Sequence, residues 1–217
     1  MCGQCHVEYY FKGPGKVVTY PWANGLKVEE IEAYYEKEGF TDWVHAETGT
    51  KVLKAQHPGV RGVESGRARP GRRGLRGLPH ALRARRRAEG ERPLGAEPAA
   101  ESQPRLPDLS RGAGEGARGA RARRSRTATT RCSQRAAQAT TDMLDAIVAA
   151  KKAGARRRPT SRRPPPQHRK AQWRLDFVAA ENSMGFHAPQ ELARILGEVI
   201  DHARQGQLEA ERATRKR

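Results

Sequence analysis

The residues best suited to chemistry lie at the start of the chain. Cys2 and Cys5 are separated by two residues, and His6 directly follows Cys5. A Cys-x-x-Cys-His pattern places two thiols where they can add across the vinyl groups of haem, and the adjacent imidazole supplies an axial nitrogen to the iron. A zinc site needs three or four nitrogen or sulfur ligands, and the remaining cysteine, Cys132, stands alone. The spacing therefore favours a covalently attached c-type haem over half of a zinc site or a chance pair of thiols.

Four runs of sequence share a pattern with one known family: 2–11 (CGQCHVEYYF), 54–58 (KAQHP), 171–177 (AQWRLDF) and 185–187 (GFH). In this order they closely resemble the pentahaem, ammonia-forming cytochrome c nitrite reductases of the cytochrome c-552 family. The resemblance covers roughly residues 1–59 and 134–217, apart from 156–166. It implies a mainly α, multihaem cytochrome c fold with long C-terminal helices, of which this chain holds a fragment.

The resemblance implies a calcium site beside the catalytic haem of that family. The matching ligand positions are Glu8, Tyr9, Lys54 and Gln56, which offer a carboxylate, a side-chain amide oxygen and two backbone carbonyls from the tyrosine and the lysine. These are the hard oxygen ligands that calcium prefers. Taken singly, Tyr9 is more often a core aromatic and Glu8 a solvated charge, so the expectation depends on their joint occurrence in the family's order.

Two side chains, Tyr9 and His57, are expected to face nitrite and to supply hydrogen bonds and protons as N–O bonds break. By the same resemblance, the haem on the Cys2–His6 motif is a bis-His electron-transfer centre, and His187 is the distal ligand of another haem. The implied reaction is the six-electron reduction of nitrite to ammonium, with heme c and calcium as cofactors. The resemblance also implies a periplasmic location, a homodimer, and a quinol dehydrogenase or cytochrome as electron donor.

We expect no nitrite reductase activity from these 217 residues by themselves. The family's lysine-ligated catalytic haem and an active-site arginine are expected upstream of Met1, and the sequence shows neither a signal peptide nor an apolar run of transmembrane length. Two further haem motifs should follow Pro58, where arginine-rich sequence stands instead. The sequence thus predicts an N-terminally truncated fragment with one intact haem attachment motif.

The positive charge of the chain is confined to two stretches. The formal net charge is +18, and residues 60–131 hold 19 arginines, no lysine and 7 acidic residues, while 156–166 hold 5 arginines and no acidic residue. Neither stretch has the periodicity of a helix or a strand, so we predict that 60–131 is disordered and that 156–166 is a break. A basic nucleic-acid-binding protein is an alternative, but this charge is not interleaved with aromatic residues. A small haem electron-transfer protein is another.

A shift of reading frame offers one origin for these two stretches. With suitable synonymous codons, residues 75–80 (LRGLPH) and 106–111 (LPDLSR) become Cys-Ala-Asp-Cys-His and Cys-Gln-Thr-Cys-His when they are read one base later. The same offset restores, in order, both haem motifs that the resemblance leads us to expect. Our hypothesis is that 60–131 and 156–166 are translated out of frame, with an evolved basic linker as the alternative.

Helices must position the residues that carry chemistry. Apolar spacing predicts a short helix from Lys27 to Gly39, where the glycine ends it, and an amphipathic last helix that Pro189 begins. Its apolar stripe comprises Leu192, Ile195, Leu196, Val199 and Ile200. The chain divides into five predicted segments: 1–59 with the haem, calcium and active-site residues, the arginine-rich 60–131, a helix in 132–155, the break at 156–166, and C-terminal helices in 167–217.

Overall fold

The computed structural model describes residues 7–58, 83–85, 88–90, 115–154, 166–181 and 183–215. Most of these residues lie in four helices and few lie in strands, so the predicted mainly α fold is confirmed. No helix in the described part of the chain is long and apolar enough to cross a membrane. The haem-motif residues Cys2, Cys5 and His6 lie outside the described residues, as does most of the break predicted at 156–166.

The helices follow one another as α1 (Val28–Glu38), α2 (Glu115–Lys152), α3 (Pro166–Ala180) and α4 (Pro189–Arg215). Helix α4 packs along both α2 and α3, which also touch each other, and α1 packs against α3. The core between the helices is apolar. Its buried side chains include Met143 and Ile147 of α2, Trp173 and Phe177 of α3, and Leu192, Ile195, Leu196 and Val199 of α4.

Local sequence explains where α1 begins and ends. At its start the Glu30 carboxylate accepts a hydrogen bond from the Lys27 backbone N–H at 2.8 Å, which satisfies a donor that the helix itself leaves unpaired. At its end Gly39 takes a left-handed conformation with φ of 65°. Val28 and Ile31 are buried on one face, as the apolar spacing predicted.

Short antiparallel hairpins flank α1. Strand β1 (Tyr10–Lys12) pairs with β2 (Val17–Thr19), and β3 (Trp43–Val44) pairs with β4 (Lys51–Val52). A third pair joins β5 (Arg83–Arg85) to β6 (Ala88–Gly90). The chain leaving β4 enters the segment 53–57, which contains three of the residues singled out in the sequence.

Helix α2 begins at Glu115, which lies within the stretch 60–131 for which composition predicted disorder. The structure differs from that prediction because alanine and arginine both favour helix, and because Ala122 and Thr129 are buried. The Ser125 hydroxyl also donates to the Gly185 carbonyl at 2.8 Å, which ties this half of α2 to the turn before α4. Tertiary contacts therefore select helix where periodicity gave no signal.

Candidate functional site

Two segments that are distant in sequence meet at the carboxyl group of Glu8, a residue that is only 1% exposed. Its Oε2 accepts a hydrogen bond from the Gln56 backbone N–H at 2.7 Å, and its Oε1 accepts one from the Tyr35 hydroxyl at 3.1 Å. Tyr9 follows the glutamate and His57 follows the glutamine in sequence. Four residues singled out in the sequence therefore lie at one junction.

Burial raises the pKa of Glu8 to about 8, although hydrogen bonds from Gln56 and Tyr35 favour the charged form and act in the opposite direction. The carboxylates of Asp42 and Asp176 contribute to the increase. Both groups that donate to Glu8 are neutral, so they compensate only part of the cost of removing this charge from water. A cation beside the carboxylate would stabilise its charged form.

Three carboxylates hold three successive backbone N–H groups beside β4. The N–H groups of residues 54, 55 and 56 donate in turn to Asp42, Asp176 and Glu8, each at 2.7 Å. The Lys54 ammonium also donates to both oxygens of Asp176, at 2.7 and 3.0 Å. When all three acids are ionised, Lys54 pairs with Asp176 and the nearby Arg169 favours the charged form of Asp42, whereas the two groups that donate to Glu8 are neutral.

Two side chains of helix α3 form hydrogen bonds with the backbone of residues 53–55. The side-chain amide of Gln172 accepts from the Leu53 N–H at 3.3 Å and donates to the Leu53 carbonyl at 2.7 Å. Asp176 stands four residues further along, and residues at this spacing share one face of a helix. One face of α3 therefore binds the backbone of residues 53–55.

The ring of Tyr35 is fixed by its neighbours. It stacks on Phe40 with ring centroids 5.4 Å apart and meets Tyr10 and Trp173 edge to face at 5.2 and 5.7 Å. Burial raises the pKa of Tyr35 far above its ordinary value, and Glu8 adds to the increase. The phenol therefore stays protonated and acts as a hydrogen-bond donor to the carboxylate.

The sequence did not single out Tyr35, Asp42, Gln172 or Asp176 as site residues. The spacing of the last two within the run 171–177 was visible, but it gives no indication of which backbone they contact. The apolar spacing of α1 indicated only that Tyr34 or Tyr35 lies on its apolar face. The contacts of these four residues with the site depend on the tertiary fold.

The other predicted site residues of this region differ in exposure. Tyr9 is half-buried, with its ring centroid 5.9 Å from that of Phe11, and His57 is exposed. Because the Lys54 ammonium pairs with Asp176, the lysine offers a metal its carbonyl rather than its amine. Among the described residues no group of three or more His, Cys, Asp or Glu could hold a metal ion, so a cation here depends on amide and carbonyl oxygens as well.

His187 lies elsewhere, in the turn between α3 and α4. Its Nδ1 is 2.9 Å from Glu181 Oε1, and its backbone N–H donates to the Ser183 hydroxyl at 3.0 Å. Burial by itself raises the pKa of Glu181, but hydrogen bonds from His187 and Ser183 outweigh it and bring that pKa below its ordinary value. An ionised carboxylate on Nδ1 favours the tautomer in which Nε2 has the lone pair that a metal needs.

The sequence of the chain matches the model of one protein family. The family model of cytochrome c552 matches residues 1–66 and 119–217. The chain belongs to the cytochrome c552 family. The match omits residues 67–118, which lie within the arginine-rich stretch, and it includes the part of α2 from residue 119 onward.

Relatives within the cytochrome c552 family are longer than this chain. Cytochrome c-552 of Bacteroides thetaiotaomicron is 35% identical over 228 aligned residues, and that of Bacteroides fragilis is 34% identical over 223. Each comparison covers 96% of this chain but 42% of the relative. The chain therefore spans less than half the length of these proteins.

One solved structure with the same fold is the catalytic subunit of cytochrome c nitrite reductase from Desulfovibrio desulfuricans. It matches with a TM-score of 0.85 over 98% of this chain and 48% of its own, at 23% identity. That protein has two calcium sites. At this level of identity the match establishes the fold, and the expected fragment of a multihaem cytochrome c fold is confirmed.

Proposed function

We propose that this chain is part of an ammonia-forming cytochrome c nitrite reductase, in which it forms one side of the nitrite pocket. The observation that carries the proposal is the 2.7 Å hydrogen bond from Gln56 to Glu8, which joins the runs 2–11 and 54–58 across 48 positions. Membership of the cytochrome c552 family supports it. The reaction of the whole enzyme is the six-electron reduction of nitrite to ammonium.

The residues around Glu8 fit a calcium ion. They offer its carboxylate, the side-chain amide of Gln56 and the backbone carbonyls of Tyr9 and Lys54, all of which are oxygen donors of the kind that calcium prefers. When it is ionised, Glu8 has only neutral hydrogen-bond donors beside it, which also favours a divalent cation at this carboxylate. Bound calcium supplies a fixed positive charge, and the chain's own residues orient the ligands around it.

Tyr9 and His57 are proposed to face nitrite, one from each of the joined segments. The hydrogen bond from the Gln56 backbone to the Glu8 carboxylate joins the two segments and supports a shared pocket for the phenol and the imidazole. Both groups donate hydrogen bonds and exchange protons. They would bind the nitrite oxygens and supply protons as the N–O bonds break.

We further propose that Cys2, Cys5 and His6 attach one haem c and that His187 ligates the iron of another. Attached haem carries electrons to the site of reduction. The Glu181 carboxylate 2.9 Å from Nδ1 of His187 supports the ligand role, because it leaves Nε2 for a metal. In the whole enzyme we propose a periplasmic homodimer that receives electrons from a quinol dehydrogenase or another cytochrome.

We propose that these 217 residues alone do not turn over nitrite, since they contain one Cys-x-x-Cys-His motif. To test this, the chain is exported together with a cytochrome c maturation system. Ammonium formation from nitrite is then measured with reduced methyl viologen as the electron donor. The double variant Cys2→Ser/Cys5→Ser sets the background, and haem content should be one per chain in the parent protein. Ammonium formed above that background would contradict the proposal.

The arginine-rich sequence in 60–131 and 156–166 is proposed to be out-of-frame translation. The absence of residues 67–118 from the family match supports this for the middle of the first stretch. The helix that begins at Glu115 lies partly inside this stretch, which favours an end of the out-of-frame sequence before residue 131. Reading the nucleotides decides the matter: a +1 frame without both Cys-x-x-Cys-His motifs would rule the idea out.

Calcium binding by the full chain tests the site itself. Isothermal titration with CaCl2 should show binding that Glu8→Gln weakens at least about 100-fold, because the variant replaces the single carboxylate among the proposed ligands. Glu47→Gln is the matched control, since Glu47 is exposed and its carboxylate is not part of the loop. Equal affinities in the parent chain and Glu8→Gln would mean that Glu8 is not a calcium ligand.

A further inference from the structure

The proposed calcium ligands are held by groups that do not themselves bind calcium. On one side the Tyr35 hydroxyl donates to Glu8 at 3.1 Å. On the other side Gln172 makes two hydrogen bonds to the backbone of Leu53, and Asp176 accepts the N–H of Ala55 at 2.7 Å. Both ends of the proposed ligand set are therefore fixed from outside, by α1 and by α3.

We propose that Tyr35, Gln172 and Asp176 are positioning residues that set the affinity of this chain for calcium. The inference rests on the proposed calcium site and goes beyond it, because it assigns the control of affinity to two helices that contribute no ligand. Helix α3 holds the backbone on which Lys54 and Gln56 stand, and α1 holds the carboxylate that faces them.

The physical reason is the cost of arranging flexible ligands. Calcium accepts six to eight oxygens in variable geometry, so its affinity depends on how many ligands stand ready and how rigidly they are held. The segment 53–57 is irregular chain, in which backbone carbonyls can turn by rotation of single peptide units. Three hydrogen bonds between two side chains of α3 and this backbone restrict that freedom before the metal arrives.

Two of the positioning residues are uncharged, and this separates positioning from simple electrostatics. Loss of the Asp176 charge would weaken calcium binding even if the loop did not move. Gln172→Met and Tyr35→Phe change no formal charge and retain most of the side-chain volume. Gln172 bonds the backbone of Leu53 and not a proposed ligand, so an effect of Gln172→Met must come through the arrangement of the loop. Tyr35→Phe also removes a hydrogen bond that favours the charged form of Glu8, so it supports the Gln172 result and does not replace it. The Tyr35 ring also keeps its aromatic contacts in the phenylalanine variant.

The experiment is calorimetric titration of the full chain with CaCl2 at one pH, for the parent protein, Tyr35→Phe, Gln172→Met and a control. The control is Gln138→Met on α2, because exposed Gln138 likewise donates a side-chain hydrogen bond that the variant loses, here to half-buried Asp142. We expect about a 10-fold to 100-fold weaker calcium affinity in the first two variants, the range typical when a residue that supports a metal ligand is replaced. The control should retain the parent affinity.

Circular dichroism and urea unfolding without calcium report whether each variant is folded. Unchanged affinity in folded Tyr35→Phe and Gln172→Met, in a parent chain that binds calcium through Glu8, would overturn the positioning role and leave the calcium site standing. A parent chain that binds no calcium, or binds it equally well after Glu8→Gln, would overturn the site and the positioning role together. Should Gln172→Met not fold, Gln172→Leu, which also changes no charge, takes its place.

Discussion

Removal of Arg174 should destabilise the chain more than removal of any exposed charge, because it leaves a buried carboxylate without compensation. The guanidinium of Arg174 lies 2.8 Å from Glu32, and each side chain is only 6% exposed. The other Glu32 oxygen is buried and has no hydrogen-bond partner within the described structure. Burial raises the pKa of Glu32 even though Arg174 opposes that shift.

These contacts give an expected magnitude. Breaking a buried ion pair from one side typically costs about 3–5 kcal/mol, whereas replacing both partners by apolar residues of similar volume is nearly neutral. We therefore expect Arg174→Met to lower the free energy of unfolding by about 3 kcal/mol or more, and Arg174→Met/Glu32→Leu to recover most of that loss. The pair joins α1 to α3, so the single variant should also loosen the hold of α3 on the segment 53–55.

The assay is equilibrium unfolding in urea, followed by far-ultraviolet circular dichroism, on the parent chain, both single variants and the double variant. Arg204→Met is the control, because Arg204 likewise pairs with a carboxylate of another helix, Asp142 of α2, but is 49% exposed. Its loss should cost no more than about 1 kcal/mol. Arg174 also pairs with Glu198 at 2.8 Å, so a double variant as unstable as Arg174→Met would refute the reasoning by showing that the cost does not come from the orphaned Glu32 charge.

Three further outcomes follow from buried positions. Burial, with help from the nearby His45, lowers the pKa of His168 from 6.5 to about 4, so the unfolded chain binds the proton more tightly and stability falls as the pH drops below 6.5. The loss should be about 2 kcal/mol between pH 7 and pH 5 and absent in His168→Gln, and equal pH slopes in urea unfolding would contradict it. Gly185→Ala should cost about 2 kcal/mol or more, because φ is +88° and a Cβ would overlap the Thr129 hydroxyl; a thermal midpoint within 1 °C of the parent's would disprove this. Trp173→Ala should cost about 3–5 kcal/mol in urea unfolding, because the indole is fully buried, and a loss below about 1 kcal/mol would show that the cavity closes.

Local signals in the sequence predicted the elements that depend on local physics. The glycine at position 39 ends α1 and Pro189 begins α4, and the apolar stripe of α4 is buried except for Ile200, which is half-buried. Periodicity failed at the first half of α2, where arginine-rich sequence is helical because it packs against the turn at Gly185. Amino-acid composition cannot predict such a tertiary contact.

The candidate site was only partly predictable for a similar reason. Resemblance indicated Glu8 and Gln56, and the structure joins them through one hydrogen bond. The groups that hold them lie far away in sequence: Gln172 contacts the backbone of Leu53 across 119 positions. Contacts at that separation depend on how the helices pack, which neither spacing nor propensity specifies.

That long separation has a consequence for folding and for evolutionary tolerance. The segment 53–55 gains the hydrogen bonds of Gln172 and Asp176 only when α3 has been synthesised and has docked, so the first 58 residues alone should hold the calcium loop less firmly. Conversely, doubling the length of a flexible loop that joins two docked segments costs only about 0.6 kcal/mol. Large changes in the sequence between Pro58 and α2 should therefore still allow the two ends to assemble around Glu8.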